Sequence, residues 1–462
     1  MEKLAAFVSE HINDDTTRLI MNKAKWPEID MDLAVNCIES RRKLKGKVQE
    51  WCDEPMLIFP RRLSAEQCSS SATGEFKANI AENIYRLASL DCNKEQNDRG
   101  FKIADLTGGL GVDSWFFSKK ASQALYCEML PELCKAARHN FAVLGADNIT
   151  VKNVAVCDGE ELSHNGGKEE TSIFQTPTQI LADFQPDIVY MDPARRGEGG
   201  KKVFLIEDCT PDVLTLKDEI FKISRNIFLK LSPMADITMV CERLGRTCRE
   251  VWVVAAGGEC KELLVWMDRE WDDEYMVHAV ELRKDGAPGI FSFSSAEEKN
   301  ASHVCYTLKN IVDTDCGASG CESCPSVQSY LFEPGKALMK AGAFNLISER
   351  FSLAKMGRST HYYIFTDEIS SDQPEMGISI SKSSMLKKYG KVYQIISCSP
   401  LDKRTIKAAG KEFPKSEVTA RNIPMDTETL RKKLGVTSGD DAHIFGLKSD
   451  VSGNLLLITK PL

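Results

Sequence analysis

The chain has 462 residues, so it exceeds one ordinary domain core and should divide into two to four domains. Its 42% hydrophobic and 27% charged residues are typical of a soluble globular protein, and no apolar run approaches the ~20 residues of a membrane-spanning helix. Sixteen scattered cysteines favour reduced, buried thiols over the disulfide framework of a secreted protein.

The N-terminal segment is predicted to be helical. Its first residues include an acid and lack the apolar core of a signal peptide, which predicts a cytoplasmic protein. Apolar residues recur at helical spacing over about 1–52, so we expect a small helical domain there. A short strand is predicted over 55–60, and a polar run over 63–77 leads into a helix over 78–90.

The stretch over 101–113 joins a short apolar strand to a glycine-rich turn and then to a helix. Gly108, Gly109 and Gly111 permit positive φ and leave no Cβ, so the backbone can approach a ligand closely. The following helix directs its free amide groups at the same place. This pattern predicts a cofactor cradle, although a glycine turn that only packs against its neighbours is the alternative.

Carboxylates accompany this turn. Asp105 ends the strand and Asp113 lies in the first turn of the helix, where a diphosphate would require bare amides, which argues against a dinucleotide. The next strand ends at Glu128, at the spacing where doubly wound folds bind the hydroxyls of a ribose. The sequence therefore predicts a nucleoside cofactor without a diphosphate.

A further apolar strand stops at Asp192-Pro193 and leads into a charged loop that begins with Ala194, Arg195 and Arg196. Ligands of an open parallel sheet bind beyond the carboxyl ends of its strands, so we expect Asp192 to face the same crevice as the glycine turn. Proline fixes the turn and removes a donor, which orients the preceding carbonyl or carboxylate toward the substrate. We expect the chemistry to occur here.

The arrangement Asp-x-Thr-Gly-Gly-x-Gly-x-Asp over 105–113, followed by an acid, resembles motif I and its successor in class I S-adenosylmethionine-dependent methyltransferases. The resemblance implies S-adenosylmethionine as the cofactor, with its ribose on Glu128. It also implies that the turn beginning at Thr107 lies against the methionine part, and that Asp105 or Asp113 receives the ammonium group of the cofactor.

The resemblance implies further cofactor contacts. Asp158, which follows the third strand, would contact the adenine amino group, and its alternative role is to cap the next helix. The polar run ahead of the first strand resembles the leading motif of RNA and DNA methyltransferases, whose residues close over the methionine carboxylate. Thr73, Phe76 and Lys77 match that motif, and simple helix capping is the alternative.

The Asp-Pro-Ala-Arg segment at Asp192 resembles the Asp-Pro-Pro-Arg or Asp-Pro-Pro-Tyr motif of base-modifying methyltransferases. This implies that Asp192 and Pro193 position the acceptor or that Asp192 takes its proton, with Arg195 orienting it. Ala194 and Arg195 depart from the proline and the stacking aromatic of amino-group enzymes, which leaves the target atom open. The fifth strand leads to Ser232 without the cysteine of 5-methyluridine-forming enzymes, so no covalent cysteine is expected at that position.

Beyond residue 270 the pattern changes to short strands and loops. Cys316, Cys321 and Cys324 have part of the spacing of a zinc site but need a fourth ligand, so no metal is assigned and the question stays open. From residue 391 we predict a strand, a helix, a strand, a helix and two closing strands, which form a compact α+β module.

The C-terminal module is basic. Between Lys382 and Lys433 there are thirteen lysines and arginines and five acids, a net charge of +8, against −16 for the remainder. This distribution predicts a polyanion-binding module, with a solvated lysine-rich surface as the alternative. The module resembles the THUMP-like domain that ends a bacterial family of class I methyltransferases, and THUMP domains bind RNA in related enzymes.

We therefore expect an α/β fold: a Rossmann-like, seven-stranded class I methyltransferase domain with an N-terminal helical domain and C-terminal ferredoxin-like and THUMP-like α+β domains. The expected bounds are 1–95, 96–270, 271–390 and 391–462. The expected function is S-adenosylmethionine-dependent methylation of a base in tRNA or rRNA, with RNA as the partner and neither DNA nor a membrane.

Other functions stay open. The first is a methyltransferase of a protein or a small molecule, and the second is a noncatalytic RNA-binding protein with a degenerate methyltransferase fold. A nicotinamide dehydrogenase is disfavoured because the turn lacks a clear Gly-x-Gly-x-x-Gly spacing. The sequence does not fix the oligomeric state.

Overall fold

The computed structural model describes residues 1–91, 100–158, 173–195, 206–284, 286–305, 328–366 and 381–462. These residues divide into two compact units. The first comprises Met1–Val251 and Glu262–Tyr275, and the second comprises Trp252–Lys261 and Met276–Leu462. The finer division into four domains stays a prediction.

Some of the predicted functional residues lie outside this description. They are Arg196, Cys316, Cys321, Cys324 and the side chain of Arg195. The predicted role of Arg195 and the open zinc question therefore stay as the sequence left them.

Helices occupy most of the described chain before the first strand, as predicted. They are α1 (Glu2–Glu10), α2 (Thr16–Met21), α3 (Met31–Leu44), α4 (Gln49–Asp53), α5 (Arg62–Gln67) and α6 (Ser71–Asp91). The side chains of Asp15 and Asp30 accept hydrogen bonds from the first turns of α2 and α3, so ordinary capping fixes where these helices begin.

The predicted strand over 55–60 is wrong, because these residues form neither a helix nor a strand. The N–H of Ile58 instead donates to Asn140 Oδ1 at 2.8 Å, and its carbonyl accepts from Asn140 Nδ2 at 2.9 Å. A buried side-chain amide thus satisfies the backbone that an adjacent strand would otherwise pair. Helix α6 also begins earlier than predicted, because part of the polar run forms its first turns.

The strands up to residue 268 are β1 (Lys102–Asp105), β2 (Gln123–Glu128), β3 (Ile149–Asn153), β4 (Ala155–Val156), β5 (Phe174–Gln175), β6 (Ile188–Met191), β7 (Ala194–Arg195), β8 (Cys209–Thr210), β9 (Asn226–Leu231), β10 (Cys248–Ala256) and β11 (Glu259–Asp268). The helices that accompany them are α7 (Val112–Ser118), α8 (Pro131–Val143), α9 (Pro177–Leu181), α10 (Val213–Phe221) and α11 (Ile237–Leu244).

Seven of these strands lie side by side in the large mixed sheet in the order β10-β11-β9-β6-β1-β2-β3. The five from β9 to β3 are parallel, whereas β11 runs antiparallel to β9. All four residues of β6 are buried, as expected for a parallel strand covered on both faces. Parallel pairing brings the carboxyl ends of β1, β2 and β6 to one edge of the sheet, and this confirms the predicted α/β fold.

In the second unit the strands are β12 (Met276–Leu282), β13 (Gly289–Ser294), β14 (Val304–Cys305), β15 (Ser329–Pro334), β16 (Ala354–Lys355), β17 (Tyr363–Thr366), β18 (Gly390–Pro400), β19 (Lys415–Arg421), β20 (Thr437–Ser449) and β21 (Gly453–Pro461). Its helices are α12 (Ser295–Asn300), α13 (Lys336–Ala341), α14 (Leu346–Arg350), α15 (Lys382–Leu386), α16 (Lys403–Glu412) and α17 (Thr427–Leu434).

Eight strands of this unit form one sheet in the order β14-β16-β17-β15-β18-β21-β20-β19. The elements from β18 to β21 follow the predicted order of strand, helix, strand, helix and two strands. Helices α16 and α17 pack on this sheet through Ile406, Ala409, Leu430 and Leu434. A Cβ added at Gly410 would lie 1.8 Å from the carbonyl oxygen of Leu434, so glycine permits the close approach of the two helices.

Within the described ranges, no helix combines the length and the apolarity that crossing a bilayer would require.

Candidate active site

A cavity of about 390 Å³ opens in the first unit beyond the carboxyl ends of the parallel strands. Its wall includes the glycine turn over 105–113, the end of β2 and its next residue, and the start of the chain beyond β6. The end of α5 and the segment that follows it close another side with Gln67, Cys68 and Ser69. Its volume lies within the range of small-molecule sites, which makes it the candidate active site.

The glycines of the turn are required for two physical reasons. Gly109 and Gly111 have φ of +53° and +92°, a region that disfavours side chains. A Cβ at Gly108 would lie 2.2 Å from the ring of Tyr126, and one at Gly111 would lie 2.8 Å from the ring of Phe141. The absence of a Cβ at these glycines thus lets the turn pack closely against two aromatic rings, in addition to the close approach that was predicted for a ligand.

Glu128 is held rigidly against this turn. Its Oε2 accepts from the N–H of Gly109 at 3.0 Å, and its Oε1 accepts from the N–H of Leu130 at 2.8 Å. Each carboxylate oxygen keeps a second lone pair, so both can still accept from neighbouring hydroxyl groups. This geometry suits the predicted contact with a ribose.

Asp105 is buried at the end of β1 and is well hydrogen-bonded. It accepts from the N–H of Thr107 at 3.0 Å and from Ser114 Oγ at 2.5 Å. The pKa of Asp105 is raised to about 7, mainly by burial and to a smaller extent by the negative charges of Asp113 and Asp192, although its hydrogen bonds to Ser114 and Thr107 oppose the shift. Near neutral pH this carboxyl group is therefore partly protonated.

Asp192 faces the cavity that the glycine turn lines, as expected. Its N–H donates to Thr107 Oγ1 at 2.6 Å, which joins the ends of β1 and β6. Its Oδ2 lies 2.5 Å from Lys230 Nζ, and its side chain is 37% exposed. Asp192 is thus fixed at its backbone and its carboxylate, yet it remains open to the cavity.

Lys230 was not predicted as a site residue. It lines the cavity from β9 and is mostly buried. Burial would lower the pKa of its ammonium group, but Asp192, Asp113 and Glu262 together hold that pKa above its usual value. A lysine within the otherwise apolar Asn226–Leu231 strand was the available sequence signal, because such residues are rarely buried unless they are paired.

Lys77 is completely buried and neutralises two carboxylates. Its Nζ lies 2.9 Å from Glu262 Oε2 and 3.2 Å from Asp113 Oδ1, and it donates to Ser69 Oγ at 2.7 Å. Asp113 Oδ2 accepts from Ser69 Oγ at 3.1 Å and from the Tyr190 hydroxyl at 2.8 Å. Sequence analysis assigned no role to Ser69, Tyr190 or Glu262, since their partners are distant in the chain.

The two carboxylates beside Lys77 respond differently to burial. Burial would raise the pKa of Asp113, but the charges of Lys77 and Lys230 and its two hydrogen bonds hold that pKa below its usual value. Burial raises the pKa of Glu262 despite the opposing effect of the same two lysines. Asp113 Oδ1 is buried and has no hydrogen-bond donor among the described residues beyond its ion pair with Lys77.

The structure brings most of the predicted site residues into the cavity wall. Those that line it are Asp105, Thr107, Gly108, Gly109, Gly111, Asp113, Glu128 and Asp192. Thr73, Lys77, Asp158 and Pro193 lie outside this wall. The hydroxyl of Thr73 instead accepts from the N–H of Ser70 at 3.1 Å. The ligand contacts of all these residues stay predictions.

Cys68 is the cysteine of the described cavity wall. Burial raises the pKa of its thiol to about 11, and the charges of Lys47 and other neighbouring groups only partly offset this. A neutral thiol is a poor nucleophile, so the environment of Cys68 does not favour covalent catalysis.

Comparisons with known proteins agree with this architecture. Residues 330–372 match a ferredoxin-like domain, and residues 390–461 match a THUMP domain-like family. No protein of curated function matches the chain. A proposed methyltransferase from Porphyromonas gingivalis W83 is similar over 99% of this chain and 97% of its own, with 27% identity and a TM-score of 0.73.

Two other solved structures share less with the chain. An rRNA methylase from Streptococcus thermophilus has 11% identity over 41% of this chain and 94% of its own, with a TM-score of 0.26. A proposed methyltransferase from Streptococcus mutans, solved with SAH, has 14% identity over 37% of this chain and 89% of its own, with a TM-score of 0.24. Scores this low support no inference about the present chain.

Proposed function

We propose that this chain, a methyltransferase-like protein with ferredoxin-like and THUMP-like C-terminal domains, transfers a methyl group from S-adenosylmethionine to RNA. One observation carries the proposal. The cavity beyond the parallel strands brings Glu128, Asp113 and Asp192 together, which are the residues that nucleoside binding, ammonium binding and acceptor chemistry would require.

The described residues fit the cofactor chemically. S-adenosylmethionine has a ribose. It carries two positive charges, on its sulfonium and ammonium groups, and one negative charge, on its carboxylate. Glu128 would bind the ribose hydroxyls, and the carboxylate of Asp113 in the cavity wall would attract the ammonium group, directly or through water. Four carboxyl groups, of which Asp105 is partly protonated near neutral pH, and one ammonium group line the described cavity wall. The wall thus keeps a net negative charge, which suits a ligand with net positive charge.

The bound cofactor supplies an activated methyl group, and the residues of the chain align the acceptor with it. Asp192 is the residue that we assign to the acceptor, because its carboxylate is partly exposed in the cavity and its backbone is held by Thr107. An acceptor that loses a proton can give it to this carboxylate. Its contact with Lys230 keeps the carboxylate in one place.

A basic surface supports RNA as the substrate. It is formed by Lys403, Arg404, Lys407 and Lys411 on α16 and by Lys432 and Lys433 on α17, all of them exposed. The apolar faces of both helices pack on the sheet, so these cations are on the outward side. None of the six forms an ion pair with another described residue, which leaves them free for phosphates.

The sequence further predicts that the acceptor is a base of tRNA or rRNA. This prediction depends on the Asp-Pro-Ala-Arg segment, whose arginine side chains lie outside the described residues. The domain bounds and the cytoplasmic location likewise stay predictions.

Two equilibrium measurements on the full chain test the proposal. Calorimetric titration with S-adenosylmethionine should show binding, and filter binding with total RNA should show an affinity that falls steeply with salt. RNA binding without cofactor binding would support the noncatalytic alternative. Cofactor binding without salt-dependent RNA binding would instead favour a protein or small-molecule substrate.

A further inference from the structure

Two buried lysines alternate with three carboxylates in the cavity wall and directly behind it. The five residues come from five separate segments: Lys77 in α6, Asp113 in α7, Asp192 after β6, Lys230 in β9 and Glu262 in β11. Lys77 lies within 3.2 Å of both Asp113 and Glu262, and Lys230 lies 2.5 Å from Asp192. Such a cluster is costly to bury, which suggests a chemical role.

We propose that Lys230 and Asp192 together hold a ribose 2′-hydroxyl of the RNA as the methyl acceptor. This inference rests on the proposed RNA methyltransferase function and differs from the base that the sequence predicts. A hydroxyl group offers a donor and an acceptor at one atom. One oxygen can therefore accept from the Lys230 ammonium group and donate to the Asp192 carboxylate, since their polar atoms are neighbours.

The described cavity wall offers little aromatic surface to a base. Enzymes that act on a flipped base usually hold it between aromatic or apolar faces. The aromatic residues of the described wall are Phe174 and Tyr190. Tyr190 is 1% exposed and donates its hydroxyl to Asp113, whereas Phe174 belongs to β5, which pairs with β4 in a separate two-stranded sheet. Tyr190 therefore leaves no free ring face on which a base beside Asp192 could stack.

The step balances without a further reactant. A lone pair of the hydroxyl oxygen forms the bond to the methyl carbon, and the carbon–sulfur pair stays on the sulfur of the cofactor. The O–H pair returns to the oxygen as its proton passes to Asp192, whose carboxylate is 37% exposed and can release it to water. Hydroxyl groups are poor acids, so a carboxylate beside the oxygen assists the loss of this proton.

Lys230 has a distinct part in this step. Its neighbouring carboxylates hold its pKa above the usual value, so it stays an ammonium group and does not take the proton. As the O–H bond breaks, the ammonium group stabilises the negative charge that develops on oxygen. Lys77 supplies a counter-charge to Glu262 and Asp113 through its contacts with both. The Lys230 ammonium group can therefore pair with Asp192, and Lys77 acts as a positioning residue.

The position of the methyl group in the labelled RNA distinguishes a ribose 2′-hydroxyl acceptor from a base acceptor. The full chain is first used to label total RNA from S-adenosylmethionine, and the RNA is then hydrolysed in alkali. Alkaline cleavage of a phosphodiester requires the free 2′-hydroxyl next to it, so a 2′-O-methyl group blocks cleavage at that position. We expect the label in alkali-stable dinucleotides. Label in mononucleotides would overturn the 2′-hydroxyl assignment while leaving RNA methylation intact, and no label in RNA would overturn both.

Variants test the role of Lys230 separately. Lys230→Met should lower kcat by at least about a hundredfold, as expected when a donor to a developing oxyanion is removed. Its affinity for S-adenosylhomocysteine, measured by calorimetry, should stay within about tenfold of the parent, and the exposed Lys222→Met is the matched control. Unchanged kcat in Lys230→Met would remove Lys230 from the step. If this variant does not fold, the alkali result on the parent chain still decides the acceptor.

Discussion

Lys230 Nζ and Asp192 Oδ2 lie 2.5 Å apart across two neighbouring parallel strands. The register of β6 with β9 pairs Met191 with Leu229. The residues that follow this pair are Asp192 and Lys230, so they lie side by side. The contact thus follows from the strand pairing and places an acceptor and a donor at the same edge of the sheet. It is the centre of the proposed chemistry.

Replacing the Asp192 carboxylate should separate catalysis from cofactor binding. We expect Asp192→Ala to abolish methyl transfer while the affinity for S-adenosylmethionine stays within about tenfold, because Asp192 is assigned to the acceptor. Calorimetry and a transfer assay measure the two effects. Asp183→Ala, at an exposed acid of the same unit, is the control and should change neither. Loss of cofactor binding in Asp192→Ala would show that its role is misassigned.

Removing the Lys77 ammonium group should destabilise the first unit. Lys77→Met leaves Glu262 and Asp113 buried without their shared counter-charge, and the free energy of unfolding should fall by about 3–5 kcal/mol. Urea unfolding measures this decrease. The double variant Lys77→Met/Glu262→Met should recover part of it. Lys120→Met, which breaks an exposed pair with Glu82, should cost about 1 kcal/mol or less.

Substitution by alanine should lower the free energy of unfolding by different amounts at the two adjacent glycines of the turn, Gly108 and Gly109. The Cβ of Gly108→Ala would lie 2.2 Å from the ring of Tyr126, whereas that of Gly109→Ala would lie 3.8 Å from its nearest neighbour, the carbonyl oxygen of Thr107. Gly109→Ala should cost about 1–2 kcal/mol through its positive φ. Gly108→Ala should cost more in thermal or urea unfolding. Equal costs would mean that Tyr126 moves aside freely.

The raised pKa of Asp105 predicts a pH dependence of stability. Because burial raises this pKa from 3.8 to about 7, the folded state holds the proton where the unfolded state has released it. The contribution of Asp105 is therefore fully present below about pH 4 and disappears as the pH rises to about 7. The free energy of unfolding of the parent minus that of Asp105→Asn should fall over this interval. A constant difference would contradict the raised pKa.

The basic surface on α16 should govern the salt dependence of RNA binding. We expect Lys403→Ala/Lys407→Ala/Lys411→Ala to weaken binding and to reduce the slope of log K against log salt by about 0.7–0.9 for each phosphate that the variant no longer neutralises. The control replaces Lys3, Lys23 and Lys25, which are also exposed and lie in the N-terminal segment. Equal effects of the two triple variants would indicate binding by net charge alone.

The sequence predicts those parts of the site that lie next to one another in the chain. The glycine turn, Glu128 and Asp192 each follow an apolar strand, and parallel pairing alone brings such ends together. The partners of Lys77 and Lys230 cannot be identified without the register of strands that are distant in the sequence, and the periodicity of the sequence does not specify that register. The apolar run over 55–60 shows the same limit, because its partner is the side chain of Asn140 in a later helix.

The most direct measurement is the transfer of labelled methyl from S-adenosylmethionine by the purified chain into total RNA from a strain that lacks the gene. The proposed function predicts label in material that RNase destroys, and no label with Asp192→Ala. Label that survives RNase would place the acceptor in a protein or a metabolite and would contradict the RNA assignment. Equal labelling of RNA by the parent and by Asp192→Ala would contradict the role of this carboxylate.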